Sequence, residues 1–284
     1  MNQQVNNRKV NTFKTIYLLV LCLITIAAIC FGTFVHTGTG FNFGFNFGKH
    51  ITKEWKEADL SSTCNGLDIN MNVGEVIIMA DGKSSISFEG KKAMAPTVNV
   101  SNGIWTLRQK TKNKAIGSVF TGRGRLCRVK VHLPSDTDLN SLRLTCKAGD
   151  ITLRDLHAKS MDLSVSAGDL DLTGSTVGQL TAKLSMGDFD IKDSSIQTVE
   201  TTLSMGDLEA KDVEIGNFSA DMSMGDITLK SKTDLSKATM DLRTSMGDVS
   251  VNKEKQGSKY HVTSDPSDHI LDIKNSMGDI DILW

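Results

Sequence analysis

Seven glycines, each followed by aspartate, punctuate the second half of the chain: Gly149, Gly168, Gly187, Gly206 and Gly225 recur every 19 residues, then Gly247 follows after 22 and Gly278 after 31. A fixed interval of this size is the mark of a stacked repeat, in which one supersecondary unit recurs and neighbours bury each other's apolar face. Five of the seven lie in the tetrapeptide Ser-Met-Gly-Asp, which begins at Ser185, Ser204, Ser223, Ser245 and Ser276.

The residues between the glycines keep one side-chain phase. Seven positions before each glycine stand Leu142, Met161, Leu180, Val199, Phe218, Met240 and Leu271, and five before stand Leu144, Leu163, Ala182, Thr201, Ala220, Leu242 and Ile273. Two and four after come pairs such as Ile151/Leu153, Phe189/Ile191 and Ile280/Ile282, with Asp, Thr, Ser, Lys and Arg between them. Alternation with period two is the pattern of strands with one buried face. Each unit therefore reads as strand, Gly-Asp corner, strand and polar turn, and the chain as an all-β parallel β-solenoid (β-helix) of about 19-residue coils, right-handed by the crossover rule. Stacking at roughly 4.8 Å turns the apolar columns into a continuous core. The position just before glycine (Ala148, Ala167, Met186, Met205, Met224, Met246, Met277) extends the phase, so these methionines are expected to fill the inner corner.

Gly66–Ile78 fits the same pattern around Gly74 and reads as a first coil. Between it and Gly149 lie segments of different character, among them the hairpin signal Asn102-Gly103 and the stretch containing Cys127–Pro134, which read as an antiparallel β cap over the solenoid's first end. The interval Glu254–His269 reads as a lateral loop or short hairpin, and the chain stops inside its last rung, where Trp284 or a second molecule would cover an open edge.

Residues 16–35 hold no charge and follow Arg8, Lys9 and Lys14. About 20 apolar residues span a bilayer as a helix, and the basic flank places the N-terminus in the cytoplasm. This predicts a cytoplasmic tail (1–15), a transmembrane signal anchor (16–35), a Gly/Phe linker (36–60), a first coil and antiparallel cap (61–133), and solenoid repeats (134–284). A cell-membrane protein with its solenoid outside follows. Cys64, Cys127 and Cys146 are the exported cysteines, an odd number without a Cys-x-x-Cys spacing, so no disulfide framework or zinc motif is read and a free thiol is expected.

The order of parts resembles the putative-adhesin, LiaG-like family of bacterial envelope proteins, a domain of unknown function. The resemblance rests on Val73–Ile78 (VGEVII), a hairpin insert, Val129–Leu153 (VKVHLPSDTDLNSLRLTCKAGDITL) and the Gly-Asp rungs, across Ser61–Trp284. It implies a β-solenoid ectodomain, often membrane-anchored, linked to envelope-stress response and without established catalytic residues.

Two readings compete for the corners Gly149-Asp150, Gly168-Asp169, Gly187-Asp188, Gly206-Asp207, Gly225-Asp226, Gly247-Asp248 and Gly278-Asp279. Calcium takes six to eight oxygens, and one corner carboxylate per coil supplies few. Turn chemistry explains both residues: glycine for its backbone freedom, aspartate for accepting nearby amides. The corners are read as structural and no metal or cofactor is assigned. A methionine metal site is set aside because the alternation puts the sulfurs inside. A wall-polysaccharide enzyme would need a built acid cluster, and the best strip, Asp171, Asp190 and Glu209 flanked by Lys183 and Lys192, reads as a solvated face. The protein is therefore expected not to be an enzyme. The ligand-binding candidate is a basic stretch, Lys110, Lys112, Lys114, Arg123, Arg125, Arg128 and Lys130, suited to an anionic envelope polymer or lipid; another envelope protein is the alternative partner. An exported domain without interleaved aromatic and basic residues excludes nucleic acid. Oligomeric state is left open.

Overall fold

Glycine bends each repeat where expected, and the strands on either side stack in parallel with their equivalents in the neighbouring coil at a register of 19 residues: Ile151 against Leu170, Leu170 against Phe189, Phe189 against Leu208. The computed structural model describes residues 50–56, 60, 63–110 and 127–284. The apolar segment 16–35 lies outside them, and among the described residues no helix is long and apolar enough to cross a membrane.

The described residues begin with β1 (His50–Lys56), within the stretch read as linker, and go on to β2 (Gly66–Met71) and β3 (Glu75–Ala80) around Gly74. Then come β4 (Ser85–Lys91), the hairpin β5 (Thr97–Ser101) and β6 (Ile104–Arg108), and β7 (Cys127–Leu133). After β8 (Asp138–Leu139) the coils run as β9 (Ser141–Cys146) and β10 (Ile151–Arg154), β11 (His157–Val165) and β12 (Leu170–Thr173), β13 (Thr176–Leu184) and β14 (Phe189–Lys192). β15 (Ser195–Leu203) leads into the long bent β16 (Leu208–Met222), then β17 (Ile227–Ser231), β18 (Thr239–Met246) and β19 (Val249–Val251). A hairpin of β20 (Glu254–Gly257) and β21 (Lys259–Val262) precedes β22 (Ile270–Met277) and β23 (Ile280–Leu283).

Order in space departs from order in sequence at both ends. β6 and β7 are parallel to β2 and β3, so they form a rung of their own beneath the first coil, where antiparallel cap strands were expected. The antiparallel strands close that rung: β5 pairs β6, and β4 pairs β7 and then β1. The turn at Asn102-Gly103 has both residues at positive φ (52° and 75°), the geometry a tight hairpin needs. At the other end β22 pairs β16 on one side and β18 on the other, and β23 lies between β17 and β19. The final rung of the sequence is thus the last but one in space. The expected open C-terminal edge is absent: β18 and β19 form the end rung, and the antiparallel hairpin covers them. An unpaired parallel edge is a template for aggregation, and this arrangement blunts both.

Each coil turns at two places. At the glycine, neighbouring backbones come so close that a Cβ on Gly187 would sit 2.1 Å from the carbonyl oxygen of Gly168, and φ is 130°. The second turn uses Asp155, Gly174, Asp193 and Asp212, all at φ between 48° and 64°, the left-handed region that aspartate tolerates better than most residues. The turn that follows is less polar than its residues suggest. Ser175 and Ser194 are buried, and their hydroxyls accept the backbone N–H of Leu156 and Ser175 in the preceding coil, both at 3.1 Å.

The core is one continuous cluster along the stack, with Trp105, Phe88, Phe189 and Phe218 its largest enclosed side chains. The methionine expectation is corrected. Met186, Met205, Met224 and Met246 lie outside, 55%, 45%, 42% and 58% exposed. The alternation stops two residues earlier, at the column Cys146, Val165, Leu184, Leu203 and Met222, all buried, because the chain is already bending when it reaches the methionine. Polar residues hold this inner column at the ends: Gln109 donates to the carbonyls of Val73 and Met94, Asn275 to that of Gly225, and Thr244 to that of Gly278.

Candidate functional site

The register of the solenoid gathers its chemistry on one long edge. Asp150, Asp169, Asp188, Asp207, Asp226, Asp279 and Asp248 follow one another from coil to coil, and the Oδ1 of each of the first six accepts the backbone N–H of the next aspartate at 2.8–3.2 Å. The acceptor role foreseen for these carboxylates holds, but the donor is the adjacent coil rather than the residue's own turn. One carboxylate oxygen in each rung is thereby committed to the stack. Glu75 takes the same position in the first coil, and Arg128 the same position in the rung below it, donating Nε–H to Glu75 at 2.7 Å. At the opposite end Lys255 donates to Asp248 at 2.8 Å, which raises the lysine's pKa. The acidic column therefore ends on a cation at each extremity. Among the described residues no group of three or more His, Cys, Asp or Glu is arranged to hold a metal ion.

The acidic strip also forms. Asp171, Asp190 and Glu209 are direct cross-strand neighbours on the outer face of β12, β14 and β16. Burial, then the adjacent Asp190, pushes the Asp171 carboxyl above the ordinary range. Lys192 bonds Asp190 at 2.9 Å and Lys211 pairs with Glu209. Lys183 does not join them, since it projects from β13 in the other sheet. Further along the same face a polar groove of about 330 Å³ is lined by Glu209, Thr228, Lys230, Ser250, Lys253 and Asp281. Glu209 and Asp281 flank Thr228 there, and with Lys230 and Lys253 in the lining the groove suits a polar ligand.

Of the basic candidates, Lys112, Lys114, Arg123 and Arg125 lie outside the described residues. Lys110 is exposed at the end of the strand β6 segment, Lys130 is half-buried on β7, and Arg128 is engaged with Glu75. β6 ends at Arg108 and β7 begins at Cys127, and they pair with β2 and β3, which lie on either side of Gly74. The three described cysteines are free and buried; burial pushes Cys64 up to about 12 and Cys127 and Cys146 up to about 11. What the sequence did not disclose was the spatial order of rungs and the Arg128–Glu75 pair, which depend on pairing between distant segments, the outward methionines, which depend on where the backbone bends, and the Lys255–Asp248 pair, which depends on the hairpin that follows β19.

Among curated proteins none matches the chain. Solved structures of similar fold include a putative adhesin from Bacteroides fragilis, 16% identical, covering 83% of this chain and 97% of that one with a TM-score of 0.50. A putative adhesin from Parabacteroides distasonis is 12% identical over 83% of this chain and 98% of its own, with a TM-score of 0.46. A protein of the same organism described as a putative lipid binding protein gives 12%, 83%, 97% and 0.38. The coil-hairpin-rung order that resembled the adhesin-type family runs over the same stretch as the matching family model, Toastrack DUF4097, at residues 64–283, and the chain belongs to that family.

Proposed function

We propose that the protein is a single-pass membrane protein of the bacterial envelope whose Toastrack solenoid, outside the cytoplasm, is a non-enzymatic module that binds or scaffolds at an anionic surface. The observation that carries this is the division of charge along the stack. Residues 61–133 hold 11 Lys/Arg against 4 Asp/Glu, whereas residues 134–284 hold 15 against 26. The basic portion builds the rungs at one end, and in the chain it is the portion joined through residues 36–60 to the apolar segment 16–35. A basic end next to an anchor meets anionic headgroups or wall phosphate polymers at about 1 kcal/mol per cation close to the surface, while the acidic rungs are repelled from it. The fold shared with a Bacteroides fragilis protein described as a putative adhesin is consistent with a binding role.

Co-sedimentation of residues 47–284, which retain β1, with purified cell walls and with anionic vesicles, at low and high salt, tests this. Salt-sensitive binding that is lost when Lys110, Lys112, Lys114, Arg123, Arg125 and Lys130 are changed to Gln supports an electrostatic binder. Binding to neither surface, or binding indifferent to both salt and these substitutions, overturns it. Arg128 is left in place because Glu75 requires it.

A further inference from the structure

Five methionines lie one above another on the outside of the solenoid. Their order in space is Met186, Met205, Met224, Met277, Met246, as the bonds between corners establish: the N–H of Gly187 donates to the carbonyl of Met205 at 3.0 Å, that of Gly206 to Met224 at 3.1 Å, that of Gly225 to Met277 at 2.9 Å and that of Gly278 to Met246 at 2.8 Å. Four are among the most exposed large apolar side chains of the described residues, and Met277 is partly buried. Met71, Met94, Met161, Met222 and Met240, by contrast, are enclosed in the core.

The fold itself asks for no methionine here. Ala148 and Ala167 occupy the same position in the two preceding coils, with the same glycine bend and the same aspartate after it. Four of these side chains are left 42% to 58% exposed and gain little from burial, so the property that sets methionine apart from alanine at this edge is its sulfur. A thioether is a soft, neutral donor on a flexible arm, and soft sulfur ligands select copper(I) over the harder divalent ions. The spacing suits such an ion. Adjacent strands are about 4.8 Å apart, and a metal–sulfur bond is about 2.3 Å, so two flexible thioethers on neighbouring coils that turn toward each other can hold an ion between them.

The surroundings favour the same ligand. One residue beyond each glycine runs the column Asp188, Asp207, Asp226, Asp279 and Asp248, whose negative potential concentrates cations along this edge. The described thiols offer no competition, since Cys64, Cys127 and Cys146 are buried and burial holds them protonated. The reason for setting aside a methionine metal site, that the sulfurs point inward, does not hold in the structure.

We propose that the ladder Met186–Met205–Met224–Met277–Met246 binds soft monovalent cations, copper(I) or its redox-inert counterpart silver(I), each held between thioethers of adjacent coils. Binding is a ligand addition without electron transfer, and it is independent of the basic surface proposed above. The test uses the purified full chain under anaerobic conditions, with copper(I) kept reduced by ascorbate and presented as its bicinchoninate complex. The protein is expected to withdraw copper(I) from the complex, and the variant carrying M186L, M205L, M224L, M246L and M277L to do so at least tenfold more weakly. Leucine conserves volume, so the far-UV spectrum and melting temperature should stay unchanged. In a second measurement, silver(I) added to wild-type protein labelled at the methionine methyl carbons should shift the five ladder resonances and leave those of Met71, Met94, Met161, Met222 and Met240 in place. This measurement decides the matter should the five-fold variant fail to fold. Failure of the wild type to compete with bicinchoninate, equal competition by a folded five-leucine variant, or silver-induced shifts confined to the core methionines would each overturn the proposal.

Discussion

The carboxylate of Asp226 accepts the backbone N–H of Asp279, 53 positions further along the chain, at 2.8 Å. The bond is equivalent to the one Asp207 makes with Asp226 only 19 positions away. The corner thus makes the same connection whether its neighbour is 19 or 53 positions away, which lets the C-terminal rung lie between two rungs made by earlier sequence.

If these aspartates serve as acceptors for the next coil, the charge itself should be dispensable. Asp207→Asn keeps an acceptor oxygen and relieves repulsion along the column, so its stability should equal or exceed that of the wild type. Asp207→Ala leaves the amide of Asp226 to water and should cost about 1 kcal/mol. Urea denaturation of both variants checks this, and calcium should shift neither midpoint.

The glycine is less forgiving. Gly187→Ala places a methyl against the carbonyl of Gly168 and a side chain at φ of 130°, so two coils must separate locally. A loss of about 3 kcal/mol or more is expected from combined backbone strain and broken pairing. Gly257→Ala, in the covering hairpin where a Cβ meets nothing within 4 Å, bears only the strain of φ at 77° and should lose about 1 kcal/mol. Thermal melts of the two variants give the comparison.

Removing residues 270–284 deletes the rung that β16 and β17 share with β18 and β19. The expected result is local: residues 232–269 lose their attachment and become sensitive to protease, while hydrogen exchange in β9 to β15 stays slow. Uniform loss of protection throughout the chain would contradict a stack held together coil by coil.

Stability near the acidic strip should depend on pH in the sense opposite to a salt-bridged carboxylate. The Asp171 carboxyl is raised above 3.8 by burial first and by Asp190 second. The folded state therefore holds this proton more firmly than the unfolded state, and its contribution is present at low pH and lost as pH rises from 3.8 through the raised value. Asp171→Asn removes this loss and should stabilise the protein by about 0.5 kcal/mol at neutral pH, a scale set by like charges directly opposite on neighbouring strands and discounted for solvent. Denaturation midpoints from pH 3 to 7 should converge with those of the wild type at the acid end.

Much of this architecture was legible in the chain. A period of 19 residues, an alternation of two and a glycine at each bend dictated parallel coils, the inward columns from Leu142 to Leu271 and the Asn102-Gly103 hairpin, because those features are local and repeat in phase. What the chain could not disclose by itself was which coil lies beside which. β6 and β7 go beneath the first coil by pairing with β2 and β3, and β22 and β23 enter between earlier rungs because their Gly-Asp corner bonds its neighbours as the other corners do. Local alternation also failed at Met186 and its equivalents, where the backbone bends before it reaches the methionine. Tertiary structure made that choice: the space inside the corner is already filled by Leu184, Leu203 and Met222, and the sulfur-bearing side chains are left outside.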